Sequence, residues 1–296
     1  MSYDLFFYKR KTDPITKLEI ETYLNTLPNL EGNAENQWLF QNNESGAYWT
    51  FEYYHPDEND LDSIELDEGF EDFEDTNFMF NINFVRPNFF GYEAFPIAEK
   101  FAQDLNLLIF NPQDEAIPKE HNKGAFEKNW IETNVRYAND YFDEWGLNYL
   151  EENSSDYSWR HNLRRAELQS QYGNEYFVPK IFYVKKHDSR LVETLCVWPE
   201  HIPYILPKVD IVLVQKKIPK LFWSKKEEGL VRYSELIEQL GQHFVQDENY
   251  LVLNPNEAEK ISKTFNRLKV FDRFDTYGEG ISVDKFVNGK PDIDLL

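Results

Sequence analysis

The residues best suited to nucleophilic or metal chemistry in this 296-residue chain are one cysteine and six histidines. Cys196 lies in an apolar run, whereas a catalytic thiol needs a neighbouring base and an electropositive, partly exposed environment. No zinc-ligand spacing links the histidines, which are His55, His121, His161, His187, His201 and His243. We therefore expect a buried core cysteine, and we predict neither a metal site nor a cofactor.

Motifs that would assign the chain to a known enzyme class do not occur in the sequence. The 12 glycines do not cluster into a phosphate-binding loop, and there is no G-x-S-x-G nucleophile elbow. Carboxylate pairs suited to acid–base chemistry are so numerous that no single pair stands out. These patterns predict no catalytic residue.

The most unusual segment is an acidic insert at residues 57–75, which carries 11 carboxylates in 19 residues. A calcium-binding EF-hand loop needs oxygen ligands at alternating positions and a glycine at its sixth position. A loop that starts at Asp57 has Leu61 and Asp62 at positions five and six, so the pattern fails. Two alternatives are left, a solvated loop without a partner and a binding surface for a basic protein.

Apolar side chains interleaved with these acids favour the binding surface, because a contiguous exposed apolar patch is typical of an interaction site. The predicted partner-binding residues are Asp57, Glu58, Asp60, Asp62, Glu65, Asp67, Glu68, Phe70, Glu71, Asp72 and Phe73. The sequence does not establish whether this insert is ordered.

The negative charge of the chain is concentrated in its first half. Residues 1–150 hold 30 acidic and 10 basic side chains, and no Lys or Arg occurs between Lys17 and Arg86. Such a field repels nucleic acids and anionic membrane surfaces, and it attracts a basic partner protein. No apolar stretch reaches the roughly 18 residues of a membrane helix, and the N-terminus lacks the pattern of a signal peptide. We therefore expect a cytoplasmic protein that binds neither nucleic acid nor membranes.

The elements predicted in the first part of the chain follow the order β-α-β-β-insert-β-α-β. This order is close to a ferredoxin-like split βαβ module with an extra strand. Thr16 and Glu19 predict a capping box at the start of the first helix, and residues 92–105 predict the second helix. The expected fold class is α+β.

Two connecting helices and a second, smaller α+β module should follow. Aromatic residues at helical spacing predict a helix over 124–145, and another is expected over 159–172 after a polar loop at 151–156. From residue 176 the pattern changes to strands and then helices, and the tail after Gly278 is expected to be irregular. The predicted division is an acidic ferredoxin-like domain at 1–118, a helical connector at 119–173 and a second α+β domain at 174–296.

The chain resembles a group of uncharacterised bacterial cytoplasmic proteins in its opening residues Met1-Ser-Tyr-Asp-Leu-Phe-Phe-Tyr-Lys-Arg-Lys, in the capped helix that follows, and in the strands around Trp38 and Trp49. Its acidity, aromatic richness and lack of catalytic motifs also resemble immunity proteins of bacterial polymorphic-toxin and contact-dependent systems. The resemblance carries no diagnostic motif, so no family site transfers to residues of this chain. It implies an inhibitor that binds a cognate toxin and blocks it.

The leading prediction is a non-enzymatic, immunity-type inhibitor whose acidic segment binds a basic toxin or effector. One alternative is an enzyme with an unrecognised site in a cleft between the two halves. Another is a structural homo-oligomer, which would be favoured if the aromatic stripe at 126–145 were exposed. The oligomeric state is not determined by the sequence.

Overall fold

The chain folds as a mixed α+β protein with two compact units. A computed structural model describes residues 1–32, 36–54, 69–113, 117–120, 122–219 and 224–289. Unit 1 is Met1–Asp140 and unit 2 is Tyr141–Leu296. The three-part division expected from the sequence, with a connector at 119–173, stays a prediction.

Unit 1 is built on one sheet. Its described residues form β1 (Ser2–Arg10), α1 (Lys17–Leu24), β2 (Leu30–Gly32), β3 (Gln37–Gln41), β4 (Tyr48–Tyr53), β5 (Phe73–Asn83), α2 (Phe89–Asp104), β6 (Leu108–Phe110) and α3 (Ala125–Asp140). The strand order is β2-β3-β4-β5-β1-β6, and each neighbouring pair is antiparallel. The segment between β4 and β5 holds most of the predicted acidic insert.

One face of this sheet forms the core of unit 1. Successive side chains of a strand point to opposite faces, and on β1 the fully buried ones are Tyr3, Leu5 and Phe7. Helix α2 covers them, since the Phe101 ring lies edge-on to Phe7 at a centroid distance of 4.7 Å. Full burial of one such side chain contributes about 1.5–3 kcal/mol, so this aromatic layer stabilises the unit strongly.

Polar contacts stabilise the start of α1 and the end of α2. Thr16 Oγ1 accepts a hydrogen bond from Glu19 N at 3.3 Å, and the Glu19 carboxylate accepts one from Thr16 N at 2.8 Å, so the predicted capping box of α1 is confirmed. Lys9 Nζ donates to the carbonyl oxygens of Leu105 and Asn106 at 2.9 and 3.1 Å. These carbonyls follow the C-terminal end of α2, where a cation is favourable.

The turn between β5 and α2 contains a strained residue. Val85 has a φ of 62°, a region that a β-branched residue seldom adopts. The buried side chain of Asn134, on α3, accepts hydrogen bonds from the backbone N–H groups of Val85 and Arg86 at 2.7 and 3.2 Å. Its amide nitrogen donates to the Arg86 carbonyl oxygen at 2.8 Å. These three bonds hold the turn and attach α3 to it.

Unit 2 contains three sheets in its described residues. Its elements are β7 (Asn148–Tyr149), α4 (Glu152–Tyr172), β8 (Phe182–Lys186), β9 (Val192–Pro199), β10 (Tyr204–Leu206), β11 (Ile211–Pro219), β12 (Ser224–Arg232), α5 (Tyr233–Leu240), β13 (Val245–Asp247), β14 (Tyr250–Leu253), α6 (Pro255–Phe265), α7 (Phe274–Tyr277), β15 (Gly278–Ile281) and β16 (Phe286–Val287). The strand orders are β12-β11-β9-β8-β15, β10-β14-β13 and β16-β7. In the part of the chain that the structure describes, no helix has both the length and the apolar character needed to cross a membrane.

The five-stranded sheet packs against α5 and α6 to form the core of unit 2. Cys196 and Trp198 of β9 are fully buried there, and the Trp198 ring lies edge-on to Phe265 at 4.8 Å. The predicted buried core cysteine is therefore confirmed. Helix α4 is attached by Asn162, whose side chain donates to the Ile181 carbonyl oxygen at 3.0 Å and accepts from the Ile181 N–H at 2.9 Å.

Helix α4 is longer than the sequence suggests, and the polar loop predicted at 151–156 is wrong. The helix begins at Glu152, and the Glu151 carboxylate accepts a hydrogen bond from the Ser154 backbone N–H at 2.9 Å. A side-chain oxygen at this position satisfies one of the free N–H groups of the first turn. The polar residues that resemble a loop are therefore the capped first turns of a helix.

Two other predicted boundaries are also wrong. Helix α3 ends at Asp140 and not at 145, and the Tyr141 ring stacks on Trp145 at 4.4 Å in the turns that follow. The tail after Gly278 was expected to be irregular, but it contains β15, which pairs with β8. A Cβ atom on Gly278 would collide with the Lys185 carbonyl oxygen, so this pairing requires a glycine.

Candidate interaction surface

The acidic insert is the predicted binding segment, and most of it lies outside the described residues. The predicted residues outside them are Asp57, Glu58, Asp60, Asp62, Glu65, Asp67 and Glu68. The remaining four are described, and they are Phe70, Glu71, Asp72 and Phe73. The C-terminal end of the insert therefore has a defined position on the sheet of unit 1.

The C-terminal end of the insert is anchored by an aromatic side chain. Phe70 is half-buried and lies edge-on to Tyr8 of β1 and Phe110 of β6, at centroid distances of 5.4 and 5.3 Å. Glu71 and Asp72 are exposed. The aromatic residue therefore attaches this end of the insert, whereas its two neighbouring carboxylates are available to a partner.

Phe70 lies on the face of the sheet that is opposite α2. Residues i and i+2 of a strand share a face, and on this face four strands carry half-exposed side chains. We call this surface the open face, and it consists of Asp4, Phe6, Tyr8, Thr50, Glu52, Met79, Asn81 and Phe110. Carboxylates and large apolar side chains are thus mixed on one surface.

Hydrogen bonds hold the two carboxylates of the open face in place. Asp4 accepts from the Asn81 amide nitrogen at 2.5 Å. Glu52 accepts from the Gln37 amide nitrogen at 2.8 Å and from the Thr50 hydroxyl at 2.7 Å. An ionised carboxylate has about four acceptor positions, so both groups can still bind a Lys or Arg side chain. Because these two side chains are already held in place, they would lose little conformational entropy when a partner binds.

Positive charge is scarce in the strands that form the open face. β4, β5 and β6 contain no Lys or Arg, and β1 contains them at its C-terminal end, as Lys9 and Arg10. Lys9 is buried on the core side. The Arg10 guanidinium lies 5.9 Å from the centre of the Phe73 ring and 3.9 Å from the Glu120 carboxylate. The open face is therefore negative over most of its extent.

A cluster of two tyrosines and an aspartate closes the base of the insert. The Tyr54 hydroxyl donates to Asp75 at 2.5 Å, and Tyr8 lies close enough to Asp75 to interact with its charge. Burial raises the pKa of Asp75, and burial together with the Asp75 charge raises the pKa of both tyrosines. Tyrosines with a raised pKa are hydrogen-bond donors at neutral pH and not bases. Because Tyr54 precedes the insert and Asp75 is its last residue, the cluster joins the chain before the insert to the end of the insert.

The residues suited to nucleophilic or metal chemistry do not form a centre in the described part of the chain. Burial raises the pKa of the Cys196 thiol to about 12, which disfavours the reactive thiolate. Among the described residues, no group of three His, Cys, Asp or Glu side chains could hold a metal ion. His55 and His121 lie outside those residues.

The open face was not predicted from the sequence, although one signal was available. β1 carries Phe6 and Tyr8 on the face opposite Tyr3, Leu5 and Phe7. A strand with large apolar residues at both parities is either covered on both faces or uses one of them for binding.

Comparisons with known proteins do not assign a family to the chain. It matches no family model, no curated protein and no solved structure. The candidate function therefore depends on the contacts, burial and charges of its own residues.

Proposed function

We propose that the chain is a non-enzymatic, immunity-type inhibitor that binds a basic toxin or effector protein and neutralises it. One observation supports this proposal above all others. The open face of unit 1 presents fixed carboxylates beside half-exposed apolar side chains, and the acidic insert is anchored at its edge through Phe70.

Each component of this surface has a role in the proposed complex. The excess of acidic residues in the first half of the chain attracts a basic partner and raises the association rate. Phe6 and Met79 supply apolar area that excludes water from the contact. Asp4 and Glu52 then accept hydrogen bonds from Lys or Arg side chains of the partner.

We also propose that unit 1 is a variant of the ferredoxin-like fold. Its strands β4-β5-β1-β6 are consecutive and antiparallel in the sheet. Helix α1 follows β1, and α2 connects β5 to β6, which is the element order of a split βαβ module. The strands β2 and β3 extend this core at one edge. A crystal structure of the chain would test the assignment.

The inhibitor proposal can be tested with the full chain and the protein encoded by the gene adjacent to its own. In one variant, the seven acids between residues 57 and 68 are replaced by Asn or Gln. Association rates are measured at low and physiological salt. Neutralising the insert should lower the rate at low salt by about tenfold or more, and added salt should lower the rate of the unmodified chain.

A second variant, Glu52→Lys, tests the open face itself. Its control is Glu132→Lys, which makes the same charge change on α3 at a side chain that is 67% exposed. Glu52→Lys should slow association severalfold and speed dissociation, whereas the control should have little effect. If both variants bind alike, the open face is not the interface. If the two proteins form no complex, the inhibitor proposal is wrong for this pair.

The insert should be altered without removing the residues that support the sheet. A deletion that extends to residue 75 would remove Phe70 and Asp75, and a loss of binding could then result from damage to β5. Substitutions limited to 57–68 avoid that ambiguity.

The sequence left two alternatives to an inhibitor, a structural homo-oligomer and an enzyme. The aromatic stripe at 126–145 is buried at its start, where Phe126 and Trp130 lie, and exposed at its end, where Trp145 is 40% exposed, so the condition that would favour a homo-oligomer is met only in part. An enzyme with a site between the two halves stays a prediction.

A further inference from the structure

One face of the five-stranded sheet of unit 2 is only partly covered. The side chains of Cys196 and Trp198 point into the core with α5 and α6, so those of Leu195 and Val197 point to the opposite side. We call that side the back face, and it consists of Phe182, Val184, Leu195, Val197, Ile211, Leu213 and Leu230. Three rings in and next to α7 pack against its buried residues, and they are Phe271, Phe274 and Tyr277.

Beside Phe274 the back face forms a hollow of about 420 Å³. Phe182 lines this hollow although 47% of its surface is exposed, and Val197, Leu213 and Ile281 are half-exposed. Among the described residues, no charged side chain lines the hollow. The back face therefore presents an exposed ring beside an apolar depression, and exposed apolar patches of this kind are typical of interaction sites.

The hollow is better suited to a protein surface than to a small molecule. Small-molecule sites enclose most of the ligand and contain a few polar groups that orient it. Most of the described lining of this hollow is half-exposed and apolar, so a small ligand would stay in contact with water and would have no fixed orientation. An apolar side chain presented by a protein surface is the better occupant, because the surrounding contact excludes water from it.

The distribution of charge favours a second copy of this chain as that protein. Unit 1 has 28 acidic and 10 basic side chains, a net charge of −18, whereas unit 2 has 25 and 21, a net charge of −4. Near the hollow, Arg273 lies 3.2 Å from Asp275, and Lys185 lies 3.6 Å from Glu279, so these charges are balanced within the chain. Two copies therefore repel each other less through unit 2 than through unit 1.

We propose that the chain forms a symmetric dimer through the back face of unit 2. In a two-fold dimer the same patch meets itself, so a patch with both an exposed ring and a hollow supplies both sides of the contact. Phe182 of each copy lies in the hollow of the other, against Phe274 and Leu213. This inference concerns unit 2 alone and does not rest on the inhibitor function proposed for unit 1.

Sedimentation velocity of the full chain at about 1–300 µM would test the dimer, and we expect a Kd below about 100 µM at physiological salt. Phe182→Glu should weaken the dimer about thirtyfold or more, because it places a carboxylate in an apolar contact. Phe177→Glu is the matched control, since Phe177 is also in unit 2, is 38% exposed and lies outside the hollow. The control should dimerise like the unmodified chain.

A second variant tests whether a ring enters the hollow. Gly280 lines the hollow, and a Cβ atom at this position would lie 3.8 Å from Phe274, which is an ordinary contact. Its φ lies outside the left-handed region, so Gly280→Leu fills the hollow without straining the backbone. This variant should dimerise about tenfold more weakly or worse. An unchanged or stronger dimer would contradict the insertion of Phe182.

Salt dependence separates this dimer from a complex with a basic protein. Two copies of net charge −22 repel each other, so raising the salt from about 0.05 to 0.5 M should strengthen the dimer, whereas it weakens an acidic–basic complex. A chain that stays monomeric up to about 300 µM would overturn the proposal. Equal weakening by Phe182→Glu and Phe177→Glu would also overturn it, because another surface would then form the contact. Circular dichroism of each variant would show that a loss of dimer is not a loss of fold.

Discussion

Replacing His161 with Gln should remove a defined part of the acid sensitivity of this protein. Burial lowers the pKa of His161 from an ordinary value of 6.5 to about 4, and the nearby positive charges of Arg165 and Arg164 act in the same direction. The hydrogen bond to the Pro179 carbonyl oxygen opposes this effect only in part.

The sign and size of the effect follow from proton uptake. In the unfolded chain the imidazole regains its ordinary pKa, so below about pH 6.5 the unfolded state binds a proton that the folded state does not bind. The contribution of His161 to the free energy of unfolding is therefore fully present above pH 6.5 and is lost as the pH falls towards 4. The difference between 6.5 and about 4 corresponds to about 3 kcal/mol.

Urea unfolding at a series of pH values between about 7.5 and 4 would measure this contribution. The unmodified chain should lose about 3 kcal/mol more stability over this range than His161→Gln, because Gln can donate to the same carbonyl but does not titrate. His187→Gln, at an exposed histidine, is the control and should follow the unmodified chain. Carboxylates such as Asp156 titrate in all three proteins, so the comparison isolates His161. Parallel profiles for the unmodified chain and His161→Gln would refute the assignment of a buried neutral imidazole.

Three further predictions concern unit 1 and can be checked by urea unfolding. Lys9→Met leaves two carbonyl oxygens at the end of α2 without their donor and should cost about 3 kcal/mol, whereas Lys11→Met, at an exposed ammonium, should cost less than about 1 kcal/mol. Asn134→Ala releases the turn that holds a strained residue and should also cost about 3 kcal/mol, against about 0.5 kcal/mol or less for the exposed Asn153→Ala. Equal costs within either pair would contradict the structure. Asp75 has a raised pKa, so its contribution to stability is largest at acid pH and is lost as the pH rises through its folded pKa. The stability of Asp75→Asn relative to the unmodified chain should therefore rise from pH 4 to 7, and a constant difference would be inconsistent with a buried carboxylate.

Features encoded within a few residues were predictable from the sequence. The capping box at Thr16 and Glu19 needs two side chains three residues apart, and it is present. The apolar surroundings of Cys196 indicated its burial in the same way. The acids of the insert were likewise evident as a candidate surface from composition alone.

Features that depend on distant parts of the chain were not predictable. The strand β15 forms by pairing with β8, which lies about ninety residues earlier, and the isolated segment has no strong strand pattern. The open face depends on which side of β1 is covered by α2. Phe6 and Tyr8 are as aromatic as Tyr3 and Phe7, so the side-chain pattern of β1 does not identify the covered face.

The hydrogen bond between Tyr54 and Asp75 has a consequence for how this protein can evolve. Because Tyr54 and Asp75 are held together at adjacent strands, a change in the number of residues between them adds little to the entropic cost of joining these two points. Each doubling of the number of residues between two joined points of a chain costs only about 0.6 kcal/mol. The sheet can therefore stay constant while residues 55–68 vary, as antibody loops vary on a conserved framework. Such a division would let a lineage acquire new binding specificities without rebuilding its core.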